Sequence, residues 1–253
     1  MVDVTVTHER TARHNSGPGE VEERLTGRRI VSLDRTGKFL HSDLDDGQLL
    51  VAHLGMTGRF TVDGEDEPHT HLRLLLDNGH LVRFIDPRTF GFVAVYDTPS
   101  AAPGLARLGA DAWLTPPGPA ELTAALRGRT APIKALLLDQ GLISGLGNIY
   151  ADEALHGAAI HPLRPGGTLT VTEIEALLEA ISKVLVSAIH NEGTSLDDRA
   201  YLLPDGRAGE NLGQLQVYGR TDQPCLVCGT PIQQVSVRSR STHFCPTCQA
   251  DGR

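Results

Sequence analysis

The first 224 residues of this 253-residue chain contain no cysteine. The sequence also lacks any apolar segment close to the roughly 20 residues that a membrane-spanning helix requires. No targeting segment is visible. These absences argue against a disulfide-stabilised secreted protein and against a membrane protein or a membrane partner. We therefore expect a cytoplasmic protein whose thiols stay reduced.

All four cysteines lie near the end of the chain with the spacing C-x2-C-x16-C-x2-C, at Cys225, Cys228, Cys245 and Cys248. Two C-x-x-C knuckles at this separation fit a tetrahedral zinc site with four thiolate ligands. The stretch between them, 230–244, is rich in Val, Ile, Thr and Phe and predicts a hairpin. Two disulfides or four unrelated thiols are the alternatives. We expect one structural Zn²⁺ and no small-molecule cofactor.

The formal net charge of −8 argues mildly against a nucleic-acid partner, because domains that bind nucleic acids are commonly basic. Net charge averages over all faces of a protein, however. The acidic runs at 43–46 and 64–67 are typical of solvated loop tips, and they are compatible with a basic cleft elsewhere. At this length, with 40% hydrophobic and 21% charged residues, the chain can form two or three domains.

Residues 1–113 predict mostly β-structure. Short β-branched or alternating runs at 30–33, 49–54, 72–76 and 92–96 are separated by Gly, Asp and Asn turns, which favours a sandwich or barrel. A short helix is predicted over 19–25. The Pro- and Gly-rich stretch 114–119 then interrupts this pattern and predicts a linker.

Beyond the linker the apolar pattern becomes helical, with helices predicted over 120–126, 132–140, 148–156 and 172–191. In the last of these, Thr172 and Glu175 are the predicted capping box and Gly193 the stop. The segment 141–148 contains three glycines, and Asn148 is the predicted N-cap of the helix that follows it. Such a turn can present backbone donors to a phosphate, although a tight helical hairpin without a ligand is the alternative.

Together these features resemble the formamidopyrimidine-DNA glycosylase family. The resemblance rests on T-G-K-F-L at 36–40, H-L-G-M-T-G at 53–58, D-P-R-T-F-G at 86–91, A-P-I-K at 131–134, G-L-G-N-I-Y-A-D-E at 145–153, Q-V-Y-G-R at 216–220 and R-S-T-H-F-C at 240–245. It implies an α+β multidomain fold. This fold has an N-terminal β-sandwich domain (1–113), a helical helix–two-turn–helix domain (114–204) and a C-terminal part with the remnant of a lesion-covering loop and the four-cysteine zinc-finger hairpin (205–253).

The resemblance also implies a bacterial base-excision repair enzyme that acts as a monomer on damaged double-stranded DNA. It would be a DNA glycosylase that removes oxidised purines (8-oxoguanine and formamidopyrimidines) and an AP lyase that cleaves the strand. Alternatives are a glycosylase of the oxidised-pyrimidine (endonuclease VIII-like) branch and a zinc protein that binds damaged DNA without catalysis. A zinc-ribbon interaction protein with no DNA role is a further alternative.

The family's site residues transfer to matching positions of this sequence. The implied catalytic residues are Lys38, for β-elimination, and Arg240, for δ-elimination. The implied residues that fill the gap left by a flipped base are Met56, Arg88 and Phe90. The implied DNA contacts are His69, Arg88, Arg129, Lys134, Asn148 and Tyr218.

One departure from the family pattern concerns its nucleophile, the amine of an N-terminal proline that is followed by glutamate. This chain instead begins Met1-Val2-Asp3, and its first residues alternate like a strand. We expect the Pro-Glu pair and its helix to have no counterpart here. A start site assigned too far downstream, a non-catalytic binder and a decayed remnant are the three explanations.

Overall fold

Eight strands of the N-terminal part form two antiparallel sheets. The computed structural model describes residues 1–196 and 201–251. The strands are β1 Asp3–Val6, β2 Asp34–Thr36, β3 Phe39–Asp43, β4 Leu49–His53, β5 Arg59–Val62, β6 Thr70–Leu75, β7 Leu81–Ile85 and β8 Phe92–Tyr96. Their order is β1-β6-β7-β5 in one sheet and β2-β3-β4-β8 in the other.

The two sheets bury their facing side chains in one core, so the predicted β-sandwich is confirmed. Strands of the first sheet contribute Val4, Val6, Leu72, Leu74 and Phe84, and strands of the second contribute Ala52, Val93 and Val95. Alternation along each strand places these residues on the inner face, as expected for sheets with one buried side. Helix α1, Pro18–Leu25, adds Val21 and Leu25 to the same core.

The prediction of a strand at 30–33 is wrong. Only Ile30 makes an isolated bridge, to Leu44, and the amide of Val31 donates to the carbonyl of Asp43. The side chains of Val31 and Leu33 are 64% and 73% exposed. An apolar run predicts a strand only if a second layer covers it, and these two side chains face solvent instead.

The helices of the second part surround a separate core. They are α3 Pro119–Leu126, α4 Ile133–Leu137, α5 Asn148–Gly157 and α6 Val171–His190, and the short helix α2, Pro103–Ala106, precedes them. Of these, α3 to α6 share one buried apolar cluster. A short parallel pair joins β9, Ala110–Asp111, to β10, Ile143–Ser144, and the finger hairpin pairs β11, Gln233–Val237, with β12, Arg240–Phe244. Short 3₁₀ helices occur at Glu9–Ala12, Pro99–Ala101, Gly166–Thr168 and Asn211–Gln214.

The chain divides into two compact units, and the second of them contains both the helices and the finger. One unit is Met1–Ala106 with Glu192–Leu212, and the other is Arg107–Asn191 with Gly213–Arg253. The finger shares a unit with the helices because its own buried apolar cluster is small, with only Val217, Cys225, Ile232 and Cys245 at its centre. No helix within the described residues is long and apolar enough to cross a membrane.

The N-cap of the longest helix, α6, lies two residues before the predicted cap. Thr170 is the N-cap, and its hydroxyl accepts a hydrogen bond from the amide of Glu173 at 3.3 Å, while the Glu173 carboxylate accepts from the amide of Thr170 at 2.8 Å. Arg164 pairs with the same carboxylate. Together with these hydrogen bonds, Arg164 lowers the pKa of Glu173 to about 2. The predicted cap, Thr172, lies inside the helix and is exposed.

We expect Thr170→Ala to lower the free energy of unfolding by about 1 kcal/mol, because it removes the acceptor for the Glu173 amide. Thr172→Ala is the matched control. It should be neutral or slightly stabilising, since alanine favours a helix interior. Urea unfolding of the two variants compares them directly, and equal losses would contradict the assignment of Thr170 as the cap.

Candidate functional site

The four cysteines converge in the finger. All four Sγ atoms lie within 4.8 Å of one another, with 3.9 Å between Cys225 and Cys248 and 3.4 Å between Cys228 and Cys245. A disulfide requires about 2.05 Å, whereas four thiolates around one zinc ion lie about 3.8 Å apart. The amides of Val227 and Cys248 point at the sulfurs of Cys225 and Cys245, each at 3.4 Å. This geometry is that of a structural metal site.

Helix α5 fixes the chain that leads into the finger. The carboxylate of Glu153, which is 5% exposed, accepts hydrogen bonds from three consecutive amides: those of Gln216 at 2.7 Å, Val217 at 3.0 Å and Tyr218 at 2.8 Å. Burial raises the pKa of Glu153, and the three amides act in the opposite direction. A buried carboxylate requires such donors, so segment 216–218 has one favourable position against the helix.

The finger strand β12 is attached to the same helix. The side-chain amide of Asn148 donates to the carbonyl of Ser241 at 3.0 Å, and the carboxylate of Asp152 accepts from the amide of His243 at 3.0 Å. Asn148 and Asp152 are one helical turn apart and therefore lie on one face of α5. Arg240, the first residue of β12, is exposed and follows a turn in which Arg238 and Ser239 have positive φ. Helix α5 thus determines where Arg240 is displayed.

Lys134, predicted to contact DNA, is completely buried. Its ammonium pairs with Asp152 and donates to the carbonyl of Asn148 at 3.2 Å. Burial lowers the pKa of Lys134, and the charge of Asp152 partly offsets this effect. The prediction of a direct contact is therefore wrong, because a fully covered ammonium cannot reach a phosphate. Lys134 instead neutralises the carboxylate that holds β12.

The glycine-rich turn before α5 is organised by the side-chain amide of Gln140. This amide donates to the carbonyl of Leu146 at 3.1 Å and accepts from the amide of Gly145 at 3.0 Å. Gly145 has a φ of +90°, which glycine adopts without strain. Gly147, rather than the predicted Asn148, is the N-cap of α5, and no side chain caps this end. A helix N-terminus without a side-chain cap can attract an anion.

In the first unit, the predicted gap-filling residues come together on an exposed surface. The guanidinium of Arg88 lies 5.0 Å from the centre of the Phe90 ring. Met56 is 52% exposed and Phe90 is 42% exposed. Gly55, beside Met56, packs so closely on segment 90–91 that an added Cβ would lie 2.9 Å from the Cβ of Phe90. Core packing, the usual role of Met and Phe, does not describe these side chains.

Positive charge lies close to this surface. Lys38 occupies the turn between β2 and β3. Burial lowers the pKa of His53, and the charges of Lys38 and Arg13 lower it further. His69 has a φ of +65°, and its carbonyl accepts from the amide of Asp86, at the start of the loop that carries Arg88 and Phe90.

Two further predicted DNA contacts belong to the second unit. Arg129 is exposed after α3, and its Nε donates to the carbonyl of Ala125 at 3.2 Å. Tyr218 is half-buried, with its ring 4.7 Å from that of His243 in an edge-on arrangement. Tyr218 therefore belongs to the α5–finger assembly.

Three family models match the chain in the order of its parts. They describe the formamidopyrimidine-DNA glycosylase N-terminal domain at residues 1–93, the formamidopyrimidine-DNA glycosylase H2TH domain at 108–200 and the zinc finger found in FPG and IleRS at 222–250. A formamidopyrimidine-DNA glycosylase of Corynebacterium efficiens is 40% identical, over 98% of this chain and 91% of the relative. The chain belongs to the formamidopyrimidine-DNA glycosylase family.

Other members of the formamidopyrimidine-DNA glycosylase family agree in sequence and fold. The enzyme of Herpetosiphon aurantiacus is 43% identical over 90% of this chain and 84% of its own length. Among solved structures, Lactococcus lactis Fpg in complex with DNA that contains an abasic site superposes with a TM-score of 0.89 at 32% identity, covering 99% of this chain and 92% of that one. MutM (Fpg) of Thermus thermophilus gives 0.88 at 41% identity, covering 100% and 94%. Family members are DNA glycosylases and AP lyases of base-excision repair.

The sequence interpretation missed the residues that hold the site in place. Asp152 and Glu153 lie inside the motif G-L-G-N-I-Y-A-D-E, and the four-residue spacing from Asn148 to Asp152 is a signal that both lie on one face of α5. Asp86 begins the motif D-P-R-T-F-G. Arg13 carries no comparable signal, because its partners are 77 and 78 residues away in the sequence.

We expect Lys134→Met to destabilise the protein by about 3–5 kcal/mol, because it leaves the charge of Asp152 buried without a counterion. Lys183→Met is the matched control. It removes an exposed lysine paired with Glu179 on α6, which should cost less than about 0.5 kcal/mol. Urea unfolding measures both changes. A Lys134→Met variant with normal stability and weakened DNA binding would instead support a direct phosphate contact.

Proposed function

We propose that this chain recognises oxidised purines in double-stranded DNA in the bacterial cytosol, where it acts as a monomer in base-excision repair. The observation that carries the proposal is the exposed cluster of Met56, Arg88 and Phe90 on a backbone that the surrounding structure holds tightly. Two half-exposed apolar side chains and a guanidinium stacked on one of them contribute little to a core. Side chains of this kind are suited to insertion between the base pairs of a duplex.

Such a surface has a defined physical task in base excision. Rotating a nucleotide out of the helix costs a few kcal/mol of lost stacking and pairing, and a side chain inserted into the gap offsets part of that cost. In the proposal, Met56 and Phe90 replace stacking surface, and Arg88 offers hydrogen-bond donors to the orphaned base. The combination Met/Arg/Phe resembles the purine-lesion branch of the family, which favours 8-oxoguanine and formamidopyrimidines opposite cytosine.

The proposed phosphate contacts lie in both units. In the first unit they are Lys38, His69 and Arg88. In the second unit they are Arg129, Tyr218, Arg240 and the first-turn amides of α5 next to Asn148. A planar guanidinium suits phosphate oxygens, and uncapped amides at a helix N-terminus attract an anion. By resemblance to the family, Lys38 assists β-elimination at the sugar and Arg240 assists δ-elimination.

Two measurements test lesion recognition by this 253-residue chain. Fluorescence anisotropy should show tighter binding to duplexes with 8-oxoguanine or an abasic site than to the intact duplex. Affinity should fall as salt rises, because phosphate contacts release counterions. Arg240→Ala should weaken lesion binding more than Arg238→Ala, which removes the same charge from the same hairpin. Equal affinity for damaged and intact duplexes would contradict the proposal.

Borohydride trapping then tests the covalent step. Borohydride reduces the imine that forms between a protein amine and C1′ of the sugar, so a stable adduct reports that amine. An adduct formed by the 253-residue chain and abolished by Lys38→Met would assign the nucleophile to Lys38. Lesion-selective binding without an adduct would show that the 253-residue chain recognises damage but does not carry out the covalent step.

We also propose that the four-cysteine site holds one Zn²⁺. Thiolate ligands at tetrahedral separations suit zinc, and the metal would organise a finger whose own core is small. Cys228→Ser should abolish stoichiometric zinc in metal analysis of the purified protein and unfold the finger. Leu226→Ala, at an exposed position of the same knuckle, is the control and should retain zinc. One zinc per chain in Cys228→Ser would contradict the four-thiolate assignment.

A further inference from the structure

The carboxylate of Asp86 holds the buried side of the loop that carries Arg88 and Phe90. This carboxylate is completely buried. One oxygen accepts from the amide of Gly91 at 2.7 Å, and the other accepts from the hydroxyl of Thr57 at 2.6 Å and from the amide of Arg88 at 3.3 Å. These bonds fix the two ends of the loop and use its amides. They do not involve the carbonyls of Phe90 and Gly91.

Arg13 binds those two carbonyls from the outside. It follows the 3₁₀ helix Glu9–Ala12. Its Nη2 donates to the carbonyl of Phe90 at 2.8 Å, and its Nη1 donates to the carbonyl of Gly91 at 2.5 Å. The guanidinium also lies 5.0 Å from the centre of the Phe92 ring. One rigid fork therefore sets the planes of two successive peptide groups directly after the Phe90 side chain.

The backbone of this segment is closely packed at Gly55 and Gly91. An added Cβ at Gly55 would lie 2.5 Å from the amide nitrogen of Gly91, and one at Gly91 would lie 2.6 Å from the Phe84 ring. Thr89 has a φ of +55°, which is disfavoured for a residue with a branched side chain. Such a conformation persists only where neighbouring contacts enforce it. The hydrogen bonds of Arg13 are contacts of that kind.

We propose that Arg13 is a positioning residue that holds Phe90 at the extension required to enter the duplex beside a damaged base. The inference rests on the proposed role of Phe90 in filling the gap. Without the fork of Arg13, only the hydrogen bonds of Asp86 hold this end of the loop, and the Phe90 ring is no longer held in one direction. The effect is greatest where a base must still be extruded, and small at an abasic site, which has no base to displace.

Two substitutions of Arg13 separate geometry from charge. Arg13→Met keeps an apolar side chain over Phe92 and loses the hydrogen bonds to both loop carbonyls, together with a third to the carbonyl of Arg10. Arg13→Lys keeps the charge but cannot span two carbonyls with one planar fork. Arg10→Met is the matched control, because Arg10 lies on the same 3₁₀ helix and carries the same charge. The measured quantity is the affinity for an 8-oxoguanine duplex relative to an intact duplex, with an abasic duplex alongside.

Both Arg13 variants should lower the preference for 8-oxoguanine over intact DNA by about tenfold, the typical effect of losing charge-assisted hydrogen bonds. Affinity for the abasic duplex should change less than about twofold, and Arg10→Met should leave the preference unchanged. Normal preference in Arg13→Lys would overturn the proposal. A salt dependence that becomes shallower in Arg13→Met but not in Arg10→Met would also overturn it, since it identifies Arg13 as a phosphate contact.

A double-mutant cycle with Phe90→Ala decides whether Arg13 acts through Phe90. In the Phe90→Ala background, Arg13→Met should cause no further loss of preference. The same loss in both backgrounds would overturn the inference and leave the proposed role of Phe90 intact. If Phe90→Ala alone preserves the preference for 8-oxoguanine, the proposed function of Phe90 fails, and the role of Arg13 fails with it.

Discussion

The arrangement of the second unit depends on two adjacent buried carboxylates, Asp152 and Glu153 of α5. Buried carboxylates are costly unless donors surround them. The donors come from the ammonium of Lys134, from the amide of His243 and from three amides in 216–218. A metal site can organise the knuckles of the finger, but it does not fix the direction in which the hairpin points. The carboxylates of α5 supply that direction, and with it the position of Arg240.

The first unit applies the same principle to the loop that carries Phe90. Asp86 is buried and accepts hydrogen bonds from two amides of its own loop and from the hydroxyl of Thr57, which is 29 residues away in the sequence. In both units, a carboxylate on a packed element receives backbone amides of a segment that displays exposed side chains. The negative charge is more stable when the amides converge on it, so displacing the segment leaves the carboxylate poorly solvated. An exposed functional segment thereby acquires the rigidity of the core beneath it.

Much of the fold follows from the sequence because local chemistry determines it. The cysteine spacing predicted the cluster of four thiols, and the apolar face of one segment predicted α6. The order of strands before helices predicted the β-sandwich followed by the helical part. Errors arose where tertiary environment decides. Thr172 with Glu175 and Thr170 with Glu173 satisfy the same capping pattern, and the ion pair of Glu173 with Arg164 favours the second. For Lys134, the residue type indicated a phosphate contact, whereas its burial beside Asp152 assigns it a structural role. Most of the candidate site was predicted from motifs, but the residues that hold it were not.

The net charge of −8 does not describe the potential at the surface around Phe90. In the acidic loop, Asp66 lies against Arg73 and Glu67 pairs with Arg59, so part of the negative charge is neutralised locally. Near His53 the balance is reversed, since Lys38 and Arg13 both lower the pKa of its imidazole. Burial is the largest cause of this lowered pKa, and the two cations add to it. The same two cations attract a phosphate. An acidic chain can therefore present a positive surface to DNA, because phosphates respond to the charges within about 10 Å rather than to the sum over the molecule.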